Sequence, residues 1–301
     1  MREVTPRPSQ GEALAVWALL LADALAVLAV YSMHDSTRLY AVSREGLEGG
    51  LSRALVLTNF PISLIAIPLA LLALQALPRK AWLAGAPAIA LCAVTAISGV
   101  VDPDDLDARW VNVLPAAGAA LALALTVAAA RRVGVGFAPA RRGDPLRVAA
   151  AALAILVSLP WIAAELGVSL PRGVFLTTQL YAEPGELPSA AVHIGHHHGF
   201  AGTLFVLSAL LLSRPRIHGR RLRAIYAALV SLTLVYGASN LAQDFWHEQL
   251  VKRGWTSWDI PSVLEPALTV MWGLVLAVAA LVFALGFARR DGSAPSGDNP
   301  R

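Results

Sequence analysis

The chain has 301 residues, of which 56% are hydrophobic and 15% are charged, and its formal net charge is +4. A mean hydropathy of +0.61 lies far above that of a soluble domain, so the composition excludes an ordinary water-soluble protein. Several apolar runs reach the roughly 20 residues that a helix needs to cross a bilayer, whereas the short alternating segments of an outer-membrane barrel are absent from the sequence. We expect an all-α fold, a polytopic integral membrane helical bundle.

Eight transmembrane helices are predicted along the chain. They are Ala13–Met33, Ala54–Leu77, Trp82–Val100, Val111–Ala130, Leu146–Leu166, Pro188–Leu212, Leu222–Trp246 and Val263–Phe287. The breaks between them carry the Pro, Gly and charged residues that helices in lipid exclude. The sixth helix is predicted to begin near Pro188, because the apolar run from His198 alone is only about 16 residues long. The sequence thus divides into a cytoplasmic N-terminal segment (1–12), a single transmembrane domain (13–287) and a disordered cytoplasmic tail (288–301).

The distribution of Lys and Arg predicts the orientation. If the N-terminus is cytoplasmic, 17 of the 24 Lys and Arg residues fall on the cytoplasmic side. The other seven are Arg38, Arg44, Arg53, Arg109, Arg172, Lys252 and Arg253. The positive-inside rule therefore places both termini in the cytoplasm of a multi-pass protein of the plasma membrane. The net positive charge reflects this topology and predicts the lipid bilayer as partner, with no nucleic acid. The single cysteine excludes an intrachain disulfide.

Polar and ionisable side chains concentrate at the predicted outer ends of the helices, a distribution that indicates a site between helix ends. They include His34, Asn59, Glu165, His193, His196, His197, His198, Asn240, Asp244, His247, Glu248 and Glu265. His218 is the one histidine predicted on the cytoplasmic side. Asp23 differs, because it lies near the middle of the first helix, where it either carries protons or stays neutral and hydrogen-bonded to a neighbour.

Helical spacing selects two groups within this set. His193 and His197 are four residues apart, so on a helix both imidazoles face the same way and are spaced to bind one metal ion. Asn240, Asp244 and His247 follow an i, i+4, i+7 pattern and form one stripe. Two alternatives stay open: the histidine run as an interfacial polar stretch, and the stripe as hydrogen bonding between helices.

One short motif resembles a known family. The letters H-I-G-H-H at 193–197 match the H-x-x-H-H box and so resemble the histidine boxes of membrane fatty-acid desaturases and hydroxylases. Those enzymes carry several boxes that face the cytoplasm, whereas this chain has a single box, predicted to lie outside. The resemblance covers five residues, and no family is assigned from it.

The leading hypothesis is a metal-dependent membrane enzyme, a hydrolase or an oxidase, that acts on a lipid-phase substrate at the outer face. The predicted metal ligands are His193, His197, His247 and Asp244; the general base is Glu248 or Glu265; further candidates are His196, Asn240 and His34. Histidine and carboxylate ligands do not discriminate between zinc, iron and copper. The first alternative is a haem- or copper-handling component of an electron-transfer or assembly system, and the second is a transporter or channel.

Overall fold

The computed structural model is almost entirely α-helical in the part of the chain that it describes. It describes residues 10–34, 42–102, 105–168, 170–171, 173, 178, 180–181, 189–190, 192, 198–258, 260–263 and 268–287. The helices are α1 (Gly11–Met33), α2 (Gly46–Arg53), α3 (Asn59–Ala76), α4 (Trp82–Ala93), α5 (Val113–Val133), α6 (Asp144–Glu165), α7 (His198–Leu212), α8 (Arg220–Asp244) and α9 (Val270–Gly286). Two π-helical turns, Ala54–Thr58 and Phe245–Leu250, extend α2 and α8.

Five continuous helical segments are long and apolar enough to cross a membrane. They are Gly11–Met33, Gly46–Ala76, Trp110–Val133, Asp144–Glu165 and Arg220–Arg253. This confirms the coarse prediction of a helical membrane bundle, because most charged residues are excluded from the apolar part of each segment. The other three predicted spans each overlap a shorter helix, with 12 residues in α4, 15 in α7 and 17 in α9.

The boundaries of those three spans were predicted wrongly. Helix α4 continues only to a 3-10 turn at Val94–Ala96, because the segment after it bends back and Val100 O accepts a hydrogen bond from Asn112 Nδ2 (2.7 Å). The sixth span was predicted to be helical from Pro188, but Ser189–Ala190 pair as an antiparallel strand with Leu180–Tyr181, and α7 begins at His198. The small and apolar residues at 189–192 suggested that the helix extends this far, but the backbone of Ser189–Ala190 pairs with a strand earlier in the chain.

The eighth span also begins later than predicted, at Val270. Val263 lies outside any helix, and its backbone N–H donates to Gln243 Oε1 (2.8 Å) on α8. In contrast, two helices are longer than predicted, because α3 is preceded without a break by α2 and α8 continues to Arg253. Both extensions pass through a π-helical turn, which apolar periodicity does not reveal.

Helix α3 lies at the centre of the bundle, where its apolar residues are buried on nearly all sides. Leu69 on α3 packs with Leu20 on α1 and with apolar residues of α5, α7 and α8 in the main core. A chain of aromatic contacts continues from this core toward α9: Phe60 meets Phe205 edge-on with ring centroids 6.2 Å apart, and Phe205 meets Tyr236 at 5.3 Å. Such contacts add specific geometry to the burial of apolar area.

Contacts between helix termini give the bundle two ends, and α2 and α3 run in one direction as a continuous segment. We call the end where α1 begins the lower end and the end where α1 finishes the upper end. At the lower end, Arg214 connects three segments: its guanidinium lies 3.4 Å from Glu12 on α1 and 3.4 Å from Asp144 on α6, and donates to Ala138 O (2.7 Å) between α5 and α6. Glu12 Oε1 in turn accepts from Ala138 N (2.7 Å). These bonds fix the lower ends of α1 and α6 relative to one another.

Candidate functional site

The end of α8 meets the beginning of α7 at the upper end through a buried carboxylate. Asp244, the last residue of α8, accepts a hydrogen bond from the backbone N–H of Gly199 in the first turn of α7. The first N–H groups of a helix have no partner within the helix, and they attract negative charge. Asp244 therefore satisfies one of them from a neighbouring helix.

Three glycines allow this approach. A Cβ atom at Gly202 on α7 would lie 2.6 Å from Gly237 O on α8, and a Cβ atom at Gly237 would lie 2.7 Å from Gly202 O. At Gly199, a Cβ atom would lie within 2.7 Å of the indole of Trp161 on α6. Small residues at such positions let helix backbones come into direct contact.

Trp161 connects α6 to the π-helical turn that follows Asp244. Its indole is fully buried, and its Nε1–H donates to Glu248 Oε2 at 2.6 Å. The last turn of α6, the start of α7 and the end of α8 consequently form one packed unit. Asp244 and Glu248, both predicted as site residues, lie in that unit.

The predicted stripe on α8 is regular only as far as Asp244. Asn240 and Asp244 are both buried, and Asn240 Nδ2 donates to Tyr236 O (2.8 Å) of its own helix. His247 lies inside the π-helical turn and is half-buried. A π turn holds more residues than an α turn, so the 100° step from which the position of His247 was predicted does not apply there.

Several predicted site residues lie outside the described residues, namely His193, His196, His197 and Glu265. His198 is half-buried as the first residue of α7, which places it at the beginning of the helix expected to contain the whole run. His34, at the end of α1, donates from Nδ1 to Val30 O (2.8 Å). Among the described residues, no three His, Cys, Asp or Glu side chains are grouped so that they could hold a metal ion.

A second group of buried ionisable side chains lies nearby, and the sequence did not reveal it. We call Asp23, Tyr31, Arg53 and Glu165 the buried ionisable cluster; all four are less than a tenth exposed. Arg53 Nη2 donates to the Tyr31 hydroxyl (3.3 Å), and its guanidinium carbon lies 4.8 Å from the centre of the Tyr31 ring. Asp23 and Tyr31 both lie within electrostatic range of Glu165. Asp23 Oδ1 has no hydrogen-bond partner among the described residues.

Close packing of α2 against α1 brings Arg53 to this cluster. A Cβ atom at Gly50 would lie 2.6 Å from Leu28 O and 3.0 Å from Ser32 N, so α2 approaches the backbone of α1 directly. Arg53 follows Gly50 by one helical turn and so lies beside Tyr31. The distribution of Lys and Arg placed Arg53 among the arginines on the outer side of the membrane. The signal for its burial was the Gly49–Gly50 pair one turn earlier, which permits close packing of α2 on α1.

The last turn of α6 joins the two groups. Trp161 and Glu165 are four residues apart and both buried, so they lie on the same face of α6. Trp161 donates a hydrogen bond to Glu248 after α8, and Glu165 belongs to the buried ionisable cluster. The last turn of α6 thus contacts Glu248 through Trp161 and contributes Glu165 to the buried ionisable cluster.

Comparison with known proteins gives no relative. No family model matches the chain, and neither a curated protein nor a solved structure matches it.

Proposed function

We propose that the protein is a multi-pass plasma-membrane protein whose upper end faces outward and holds a metal-dependent active site. In this proposal all eight predicted spans cross the bilayer and both termini are cytoplasmic. Supporting observations are the contacts of Arg214 with the first turns of α1 and α6 at the lower end, and the position of Phe287, at the end of α9, in the lining of the same cavity as Arg141. Reporter fusions after Arg132 and Arg220 should score cytoplasmic, and a fusion in the 168–187 loop should score extracytoplasmic. Reversed signals would contradict the orientation.

The observation that carries the active-site proposal is the hydrogen bond from Gly199 N to Asp244. His197 precedes Gly199 by two residues, so chain connectivity keeps its Cα within about 7.6 Å of the Gly199 Cα. Asp244 is therefore near enough for a ligand set that combines the histidine run with the end of α8. His247 follows Asp244 by three residues in the π-helical turn, a type of turn that is frequent at functional sites.

In the proposed site, His193, His197 and His247 bind the metal ion and Asp244 binds it or orients a ligand. Glu248 is the favoured general base over Glu265, because the Trp161 indole holds its carboxylate in a fixed position. Zinc would supply Lewis acidity for hydrolysis of a lipid-phase ester or amide, and iron or copper would supply a redox centre.

A second candidate function is ion or proton handling, as in a transporter. The buried ionisable cluster favours it, since ionisable groups inside a helical membrane protein are costly and usually serve a function. Within the cluster as described, two carboxyl groups, those of Asp23 and Glu165, accompany one arginine, so binding of a proton or a cation would lower the negative charge of the carboxyl groups. A haem- or copper-handling component is the remaining alternative.

Metal content and an absorption spectrum of the purified full chain separate these classes. The metalloenzyme proposal expects bound metal in the parent protein and its loss from the single variants His193→Ala, His197→Ala and His247→Ala. His198→Ala and His218→Ala are the matched controls and should retain it. Absorption in the Soret region would favour the haem alternative. A parent protein that holds no metal after metal-replete expression would refute the metalloenzyme and favour the second candidate.

A further inference from the structure

A cavity of about 560 Å³ opens at the lower end of the bundle, away from the site proposed above. It lies between the connection from α7 to α8, the first turns of α8, the end of α9 and the connection from α5 to α6. Its volume falls within the range of roughly 300–1,000 Å³ that is typical of small-molecule sites.

The lining of this cavity is basic. Three arginines, Arg141, Arg216 and Arg223, line it together with His218, and no described lining residue is acidic. Asp144 lies beside this lining: its Oδ2 accepts a hydrogen bond from the backbone N–H of Arg141 (2.9 Å) and lies 3.4 Å from Arg214, and its Oδ1 lies 3.2 Å from Arg147. The described lining itself therefore carries three guanidinium groups and one imidazole, and no carboxylate.

The basic wall is held in place by hydrogen bonds from other helices. Gln75 on α3 binds the connection twice, because its Nε2 donates to Arg216 O (3.1 Å) and its Oε1 accepts from His218 N (2.7 Å). Arg147 Nε donates to Ser213 Oγ (2.7 Å) at the start of the same connection. The backbone that carries Arg216 and His218 is thus positioned before any ligand binds, which lowers the entropy lost on binding.

Most of the remaining lining is apolar or aromatic. Tyr226 lines the cavity, and its hydroxyl donates to Leu212 O (2.7 Å). Phe287 and Ile217 add further apolar carbon. The cavity therefore offers cations to one part of a ligand and hydrocarbon or aromatic carbon to the other.

We propose that this cavity binds a phosphate group, carried by the headgroup of an anionic phospholipid or by a soluble phosphate compound. Arginine suits this ligand, since its planar guanidinium donates two parallel hydrogen bonds to phosphate oxygens. Basic pockets between membrane helices on the cytoplasmic side bind anionic headgroups in this way. The apolar part of the lining would contact the adjoining glycerol and acyl carbons of a lipid.

The test uses the purified full chain in detergent, with binding measured by native mass spectrometry and by thermal stabilisation. One arm adds short-chain phosphatidylglycerol, a second adds phosphatidylcholine with the same acyl chains, and a third adds inorganic phosphate. The variants are Arg216→Glu and Arg223→Glu, with Arg216→Gln and Arg223→Gln as milder forms. Arg132→Glu is the matched control, because Arg132 is exposed in the last turn of α5 at the same end and does not line the cavity.

We expect one phosphatidylglycerol per chain, no comparable binding of phosphatidylcholine, and a loss of affinity of about tenfold or more for each cavity variant but not for Arg132→Glu. If inorganic phosphate binds with the same dependence on Arg216 and Arg223 and phosphatidylglycerol does not compete with it, the source is a soluble phosphate. The proposal fails if phosphatidylcholine binds equally well, or if the control weakens binding as much as the cavity variants do. It also fails if the well-folded Gln variants bind like the parent.

Discussion

Replacing Gly202 by alanine tests the contact between α7 and α8 on which the proposed active site depends. The new Cβ atom would lie 2.6 Å from Gly237 O and 2.8 Å from Leu241 N. Both are backbone atoms, so no side-chain rotation can relieve the overlap. The helices must separate by roughly 0.8 Å before the shorter distance reaches the ordinary contact range that begins at 3.4 Å.

Two opposing contributions determine how Gly202→Ala changes the free energy of unfolding: helix propensity and overpacking. Alanine is a better helix former than glycine by about 1 kcal/mol, whereas overpacking of a tight contact costs about 1–3 kcal/mol. Gly273→Ala on α9 separates the two contributions, because a Cβ atom there would meet nothing within 4 Å. Gly273→Ala should therefore show only the increase in unfolding free energy that comes from the higher helix propensity of alanine. The free energy of unfolding of Gly202→Ala should therefore lie about 1–3 kcal/mol below that of Gly273→Ala.

The assay is denaturant titration of both variants in mixed micelles, followed by tryptophan fluorescence. Hydrogen exchange adds a local readout, since separation of the helices should lengthen the bond from Gly199 N to Asp244 and speed exchange of the Gly199 amide. Equal unfolding free energies for the two alanine variants, with unchanged exchange at Gly199, would show that α7 and α8 do not cross as described.

Three further predictions, the second with Arg44→Met as its control, follow from the contacts of other side chains. Trp161→Phe, which removes the donor to Glu248, should lower the free energy of unfolding by about 1.5–3 kcal/mol in the same titration. Arg53→Met should lower it by about 1.5–3 kcal/mol, because it removes the buried hydrogen bond and the ring contact that the guanidinium makes with Tyr31. Arg44→Met removes an exposed ion pair and should change it by less than about 1 kcal/mol. Arg214→Met should speed amide exchange in the connection between α5 and α6 while α5 itself keeps its protection.

The sequence predicted the class of fold because the signal for a membrane helix is local. A run such as Gly11–Met33 is apolar throughout, and neither its length nor its composition depends on what packs against it. The start of the sixth span was missed for the opposite reason. Ser189–Ala190 form a strand only because Leu180–Tyr181 pair with them, and small apolar letters do not show such a partner.

The contacts of the candidate site could be expected in part. Asp244 and Glu248 were selected because acidic residues at the end of an apolar helix stand out in the sequence, and they contact α7 and α6 respectively, while their role in a site stays a prediction. The buried position of Arg53 was not found, since burial of an arginine depends on Tyr31 and on a short helix that packs through Gly50. Whether the histidine run joins Asp244 stays a prediction.

Two of the buried ionisable residues, Arg53 and Asp244, share a local arrangement that apolar periodicity does not predict. Arg53 and Asp244 each end an α-helix and are each followed at once by a π-helical turn. Each also follows a glycine, Gly50 or Gly237, at which its helix touches a neighbouring backbone. The glycine contact fixes the rotation of the helix before the charge, and the π turn changes the rotation after it. In each segment the ionisable side chain can therefore point into the bundle, while the apolar residues before and after it remain packed against their neighbouring helices. Because π turns are rare and are frequent at functional sites, their occurrence beside both charges favours a functional origin for the burial of Arg53 and Asp244.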